Sequence, residues 1–307
     1  MNKFKKLIKE ICRDNGIKFS LLSKDWIIML KKDNKTRFIS GYKFSLNTHS
    51  IGEIFDDKYG TYEVLKKSRI PVIKHMIMYN ENNHESFARN NNDYSLIFKF
   101  FHKYNNNIVL KPNTGTCGRG VYHITNESEI LPAVNELFIK NYSISVCPFY
   151  NIKAEYRLIV LNNECVLMYG KKKPSLIGDG VKSIRELLLE FNYNYFKGKL
   201  KDSMYDRILE KGEIYEYGWQ FNLSKGSICF NIEDKKLRNK LLKFCNKVTN
   251  KIDLKFCSLD VIDTDNGLYV MEINSGIMMK NYMNIMPDGK KIAKEIYTKA
   301  ILSMFEE

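Results

Sequence analysis

The stretch Ile108-Val-Leu-Lys111-Pro-Asn-Thr-Gly115-Thr-Cys-Gly118-Arg-Gly120-Val-Tyr-His-Ile124 sets a lysine and a glycine-rich loop between two apolar runs. Glycines let backbone N–H groups approach a ligand with no Cβ in the way, and successive N–H groups form an anion-binding concavity. Lys111 would add a point charge to a phosphate, and Arg119 could add a second. The order G-x-x-G-x-G lacks the Gly-Lys-Ser/Thr of a P-loop, and it does not open a helix as a dinucleotide fingerprint does. Gly115, Gly118 and Gly120 therefore form a hairpin lid over phosphates or a plain turn. Taken alone, the motif reads more simply as the turn, because short motifs recur by chance.

Phe256-Cys-Ser-Leu-Asp260-Val-Ile-Asp-Thr-Asp-Asn-Gly-Leu-Tyr-Val-Met-Glu272-Ile-Asn274 shifts that balance. Glu272 and Asn274 are two apart in a β-rich run, so their side chains leave one face of a strand. If the two runs form a hairpin, Asp260 stands beside Glu272. Such a group of hard oxygen donors suits Mg²⁺, which takes a few carboxylates and leaves its other positions to phosphate and water. A solvated sheet face is the plainer alternative. However, both carboxylates sit among apolar neighbours, where an unpaired charge is costly.

Glu155 and Arg157 also share a strand face. A carboxylate there can accept from ribose hydroxyls, and a guanidinium fork can hold phosphate; an ordinary surface ion pair fits them equally well. Lys171, Lys172 and Lys173 begin the polar stretch KKKPSLIGDG (171–180), read as a long loop. Charge runs of this kind are usually solvated, although a lid meeting a triphosphate could use one of them.

Composition narrows the setting. The chain has 307 residues, 44% hydrophobic and 27% charged, enough for two or three compact units. No apolar run is long enough to span a membrane, and the N-terminus has no signal-peptide pattern. Seven scattered cysteines without a C-x-x-C pair exclude zinc and disulfide frameworks and suit a reducing cytoplasm. The net charge of +14 is read as general use of lysine rather than as a nucleic-acid surface. No basic run interleaved with stacking aromatics accompanies it. All five histidines precede residue 124, so chemistry in the second half must use carboxylates, lysines, arginines and backbone groups.

These residues need strands and helices to hold them. Patterning predicts helices over 3–14, 57–67, 84–104, 127–139, 181–191, 233–251 and 290–305. Strands are expected over 26–30, from 37 onward before a loop to 50, and over 72–78, 107–111, 120–124, 144–147, 155–161, 164–169, 255–262 and 267–273. Asn162-Asn163 reads as a hairpin turn. The clustered alternation indicates an α+β fold in at least two lobes.

Taken together the chain resembles the ATP-grasp superfamily. Four blocks carry the resemblance in the family's order. They are Asp57-Lys58 with Ile70-Pro71-Val72; Lys111 to Val121; Glu155-Tyr-Arg157 with 171–187, similar to cyanophycin synthetases; and Asn222 to Ser227 followed by Asp260 and Glu272-Ile-Asn274. The resemblance implies a pre-grasp region over 1–55, a central lobe with the glycine loop over 56–142 and a C-terminal lobe with the metal site over 143–307. It implies ATP and one or two Mg²⁺, with Mn²⁺ able to substitute. Lys58 and Lys111, with the loop of Gly115, Gly118, Arg119 and Gly120, would hold the phosphates. The backbone around Ser145–Phe149, including Val146 and Phe149, would face adenine. Glu155 would hold the ribose. Arg157 and one of the lysines Lys171 to Lys173, with Lys171 and Lys172 favoured, would stabilise the transferring phosphoryl group. Asp260, Glu272 and Asn274 would bind the metal. The stretch after Asn274 departs from the proline-glycine turn of many relatives, so no acceptor is carried over.

The implied reaction is amide formation between a carboxylate and an amine, with an amino acid or peptide as the expected substrate. It would pass through an acyl phosphate and release ADP and phosphate. It needs no protein nucleophile, in keeping with a second half that has no histidine. No membrane or nucleic-acid partner is expected, and many relatives are homodimers. Two readings compete: a small-molecule kinase of the same fold acting on a hydroxyl, such as an inositol phosphate, and a catalytically silent nucleotide-binding protein. Gly178-Asp-Gly180 favours the ligase over the kinase.

Overall fold

The computed structural model describes residues 1–80, 93–115, 118–196 and 200–306. Two compact units emerge, Met1–Tyr169 with Asn231–Glu307, and Gly170–Phe230.

The first unit opens with α1 (Lys3–Asp14), which buries Phe4, Leu7, Ile8 and Ile11 on one face, the spacing of an amphipathic helix. An antiparallel meander comes next, β1 (Lys18–Leu22), β2 (Ile27–Lys32), β3 (Lys35–Ser40) and β4 (Lys43–Phe44). The expected loop to residue 50 is instead this short strand and the start of α2 (His49–Asp56). α3 (Lys58–Lys67) begins at Asp57, whose carboxylate accepts from Gly60 N–H at 2.6 Å, an N-cap.

β5 (Met76–Tyr79) is shorter than the strand predicted from residue 72. Pro71 to Ile73 bond to Val270 elsewhere in the unit instead. α4 (Ser95–Lys103) is the described part of the helix predicted over 84–104; residues 81–92 lie outside the described residues. Next come β6 (Ile108–Pro112), β7 (Tyr122–Ile124), α5 (Ile130–Phe138) and β8 (Ser143–Pro148), giving a sheet in the order β5–β8–β6–β7. One face of that sheet, with Ile108, Leu110, Ile144 and Val146, packs on Ile97 and Phe101 of α4 and on Val134 and Leu137 of α5.

β9 (Ala154–Leu161) and β10 (Glu164–Lys172) are joined through Asn162 and Asn163 at φ +49° and +65°, the positive-φ pair that a type I′ hairpin requires. β10 runs on into the second unit, where Gly170–Lys172 pair with the third and last strand that unit adds. Its elements are β11 (Ser175–Ile177), α6 (Ile184–Phe196), β12 (Ile214–Glu216) and β13 (Ile228–Phe230); Lys171 faces Cys229 in the β10–β13 ladder. The predicted loop over 171–180 is thus corrected in part: 171–172 end β10 and 175–177 form β11, while 173–174 and 178–180 are irregular. Three adjacent lysines read as solvated, but strand alternation buries Lys171 and sets the exposed Lys172 ammonium 5.3 Å from the Phe230 ring centre. Gly178 is fixed by packing, since a Cβ would stand 2.1 Å from the Glu210 carbonyl oxygen. Asp179 accepts from Val181 and Lys182 N–H at 2.8 and 2.7 Å ahead of α6. Leu176, Ile184, Leu188 and Leu209 form the unit's core.

In the remainder of the first unit, α7 (Lys235–Thr249) precedes β14 (Phe256–Thr264) and β15 (Gly267–Asn274), and α8 (Lys280–Ile285) and α9 (Gly289–Glu306) close the chain. β10, β9, β14 and β15 are neighbours in that order. Leu158, Leu259, Val261, Val270 and Ile273 pack on Leu241, Cys245 and Val248 of α7. The opposite face is left to Arg157, Asp260 and Glu272. No helix among the described residues is long and apolar enough to cross a membrane.

Candidate functional site

Strand register brings the acidic residues together. On β14, Asp260 stands opposite Arg157 of β9 on one side and opposite Glu272 of β15 on the other. Directly opposed residues share a face with Cβ atoms about 5 Å apart, so the three form one row across three strands. The register shifts between Asp260 and Val261, which leaves Met271 as an extra residue, a β-bulge that re-aims the strand beyond it. Glu272 and Asn274 are thereby on the face of Asp260, with Asn274 opposite Ser258. Arg157 donates from Nε to Asp260 Oδ1 at 2.8 Å and from Nη2 to Oδ2 at 2.5 Å. Asp260 is 3% exposed, and this bidentate pairing compensates its burial.

The glycine hairpin reaches the same row through Lys58. Its ammonium donates to the carbonyl of Gly115 at 3.0 Å and stands 4.0 Å from Glu272 Oε1. Burial lowers the Lys58 pKa from its ordinary value; Glu272 opposes the shift and Lys111 adds to it. β6 and β7 pair antiparallel on either side of the loop, and Gly118 and Gly120 have φ +63° and +62°, left-handed conformations natural to glycine. Arg119 is exposed between them.

Asn113 fastens the loop to α3. Buried to 1% exposure, its amide donates to Asp57 Oδ2 at 2.6 Å and accepts from Tyr59 N–H at 3.0 Å, while its carbonyl accepts from Lys58 N–H at 3.1 Å. Neither Asn113 nor the Asp57 cap was assigned a site role from sequence. The signal for Asp57 was its place at the start of a helical run; Asn113 gave none, because its partners are remote in the chain.

Lys111 lies on the face of β6 opposite the helices, across from Ser145 of β8. His75 joins Ser145 there through Nδ1 at 2.5 Å from Oγ. Burial, then the charges of Lys111 and Lys58, push the His75 pKa well below its ordinary value, so the ring is neutral. Beyond Lys111 an apolar cluster fills the space between the two sheets: Ile73, Val109, Cys147 and Ile262, with Phe149 and Met271 packed against them. The Phe149 ring stacks on His123 at 3.9 Å. Glu155, 3% exposed and opposite Ile262, borders the cluster. Val146 was expected to offer backbone rather than side chain. Its strand is paired on both sides and its side chain belongs to the opposite, helix-packed core, so Cys147 is the residue of that stretch on the cluster side. Lys171 and Lys172 belong to the second unit.

The donor set fits a cation shared with phosphate better than a closed protein cage. Among the described residues no three His, Cys, Asp or Glu side chains gather as metal ligands. Asp260, Glu272 and Asn274 offer hard oxygens on one strand face and leave room for outside ligands.

A glycine hairpin and a carboxylate-bearing sheet, with an apolar cluster between two sheets, is the arrangement that the ATP-grasp resemblance implies. The solved structures agree on the fold. A bifunctional glutathione synthetase from Pasteurella multocida superposes with TM-score 0.56 at 18% identity, covering 96% of this chain and 44% of that one. The D-alanine–D-alanine ligase of Bacillus anthracis gives 0.54 at 15% identity, covering 82% and 67%. This chain has the ATP-grasp fold. The sequence profile described as RimK-like ATP-grasp domain matches residues 213–299. Among curated proteins it is 24% identical to the glutathione biosynthesis bifunctional protein GshAB of Clostridium perfringens over 293 residues, 87% of this chain and 36% of that protein. It is also 24% identical to the cyanophycin synthetase of Geminocystis herdmanii over 252 residues, 75% of this chain and 27% of that protein. The chain thus spans about a third of the length of these relatives or less.

Proposed function

We propose that the chain is an ATP-dependent carboxylate–amine ligase. The observation that carries this reading is the Arg157–Asp260–Glu272 row, linked through Lys58 to the glycine hairpin. Lys58, Lys111 and the loop of Gly115, Gly118, Arg119 and Gly120 would hold the ATP phosphates. The apolar cluster with Cys147 and Phe149 would take adenine, and Glu155 the ribose. Asp260, Glu272 and Asn274 would hold Mg²⁺, which, when bound, offsets charge on the phosphate oxygens.

A substrate carboxylate would attack the γ-phosphorus and form an acyl phosphate as ADP leaves. An amine would then attack the acyl carbon, giving an amide as phosphate and a proton leave. Arg157 would stabilise charge on the transferring phosphoryl oxygens. Lys171 and Lys172 have the same proposed role on sequence resemblance alone. Closure of the hairpin would exclude water from the acyl phosphate. A reducing, cytoplasmic setting suits the free thiols of Cys12, Cys147, Cys165, Cys229, Cys245 and Cys257. A homodimer belongs to the same reading.

Incubation with ATP, Mg²⁺ and pools of amino acids and small peptides, followed by mass spectrometry, tests the proposal. Condensation products with stoichiometric ADP are expected. ADP release with inositol phosphates alone would replace the ligase by a kinase.

A further inference from the structure

Along the outer edge of β15 the first unit carries a groove of about 410 Å³. Its apolar floor includes Pro71, Phe244 and Leu268, and Lys240, Lys243 and Lys247 of α7 line its rim. From Lys235 to Thr249 that helix has six basic residues and no acidic one, so the groove lies in a one-signed field. Lys240 stands 3.6 Å from Asp263, whereas Lys243 and Lys247 have no ion-pair partner among the described residues.

The backbone of β15 adds a directional element. Thr264 and Gly267 flank the tight turn of the β14–β15 hairpin. In an antiparallel ladder, opposed pairs alternate between bonded and non-bonded. Counting from the turn, Ile262–Tyr269 is a bonded pair, and Asp263–Leu268 and Val261–Val270 are not. Val270 keeps this phase, donating to the Pro71 carbonyl at 2.9 Å and accepting from Ile73 N–H at 3.0 Å on its outer side. Leu268, two residues earlier, turns its N–H and C=O to the same side, where the Pro71 segment has ended and the groove begins. Lys243 and Lys247 are one helical turn apart, about 6 Å along the axis. Alternate residues of an extended chain are about 6.6 Å apart.

We propose that this groove docks an extended acidic peptide segment of a partner protein. The segment would add as a short strand at Leu268, with carboxylates at alternate positions facing Lys243 and Lys247. The main chain supplies direction and the lysines select charge, the usual division in strand addition. This site is separate from the nucleotide reading and does not depend on it.

The probe is a short fluorescein-labelled peptide alternating glutamate and valine, followed by anisotropy at low salt. Saturable binding is expected, weakened about tenfold by Lys243→Glu with Lys247→Glu, the scale of two reversed exposed ion pairs. Hydrogen exchange at the Leu268 amide should slow when the peptide binds, and a peptide alternating lysine and valine should not bind. Binding that is indifferent to the double substitution, or that leaves Leu268 unprotected, overturns the proposal. So does a wild-type chain that ignores the peptide but binds single-stranded DNA or phosphatidylserine vesicles through the same lysines. Circular dichroism of the double variant separates lost contacts from lost folding.

Discussion

The Lys58 ammonium stands 4.0 Å from Glu272 Oε1 while donating to the Gly115 carbonyl at 3.0 Å. One buried cation thus ties the glycine hairpin to the carboxylate end of the sheet. Lys58→Met is expected to weaken ATP binding by about 2 kcal/mol, about thirtyfold, the scale of a lost charge-assisted hydrogen bond. Isothermal calorimetry with Mg–ATP reads this directly. Because burial lowers the Lys58 pKa from 10.5, the folded chain binds fewer protons than the unfolded one just below that pH. Stability from this group therefore rises with pH in that window, while ATP affinity falls as the charge is lost. Lys58→Arg should remove the alkaline fall in affinity.

Arg157 and Asp260 form a bidentate pair with side-chain exposures of 24% and 4%. Removing Arg157 strands a buried carboxylate. Arg157→Met is expected to destabilise the fold by about 3 kcal/mol in urea denaturation, and Asp260→Leu added to it should recover much of that loss. Turnover should stay absent in the double variant, which separates support of the fold from chemistry.

Asn113 joins α3 to the loop by one amide. Asn113→Ala leaves buried groups without partners and should cost about 2 kcal/mol of stability. Its effect on the Kd for ATP should exceed that of an equally destabilising substitution in the α4–α5 core, such as Leu137→Ala. Paired denaturation and binding curves check this.

His75 is buried at 3% exposure and kept neutral by burial and by Lys111 and Lys58. Its folded pKa lies well below 6.5, so under acid the unfolded chain takes up a proton that the folded chain refuses. Stability should fall as pH drops below about 6.5, by about 1.4 kcal/mol per unit from this group. His75→Gln should flatten that part of the curve in urea titrations at successive pH values.

The pairing of Asp260 with Glu272 was legible in the sequence because strand alternation fixes facing, and the Asp-Thr-Asp-Asn-Gly turn fixes pairing; the place of Arg157 opposite Asp260 was not, since it depends on β9 meeting the remote β14. The bulge at Met271 was not, since nothing local distinguishes an extra residue. β1 was missed although Phe19 and Leu21 alternate with Lys18 and Ser20, because a five-residue run with a single alternating apolar pair is a short signal for a strand. The burial of Lys171 was hidden by its charged neighbours. His75 and Asn113 became visible only once distant strands met, because their partners Ser145 and Asp57 are far away in the chain.

On the proposed reading, the glycine hairpin and the carboxylate end meet on one metal-bound triphosphate. Mn–ATP titrated into isotope-labelled chain, with amide resonances tracked by NMR, tests this most directly. The amides of Gly118 and Glu272 should both broaden and reach one equimolar endpoint, with reversal by chelation and no response in Glu272→Gln with Asn274→Ala. Broadening at one of the two amides alone, or separate endpoints for each, would contradict the shared site.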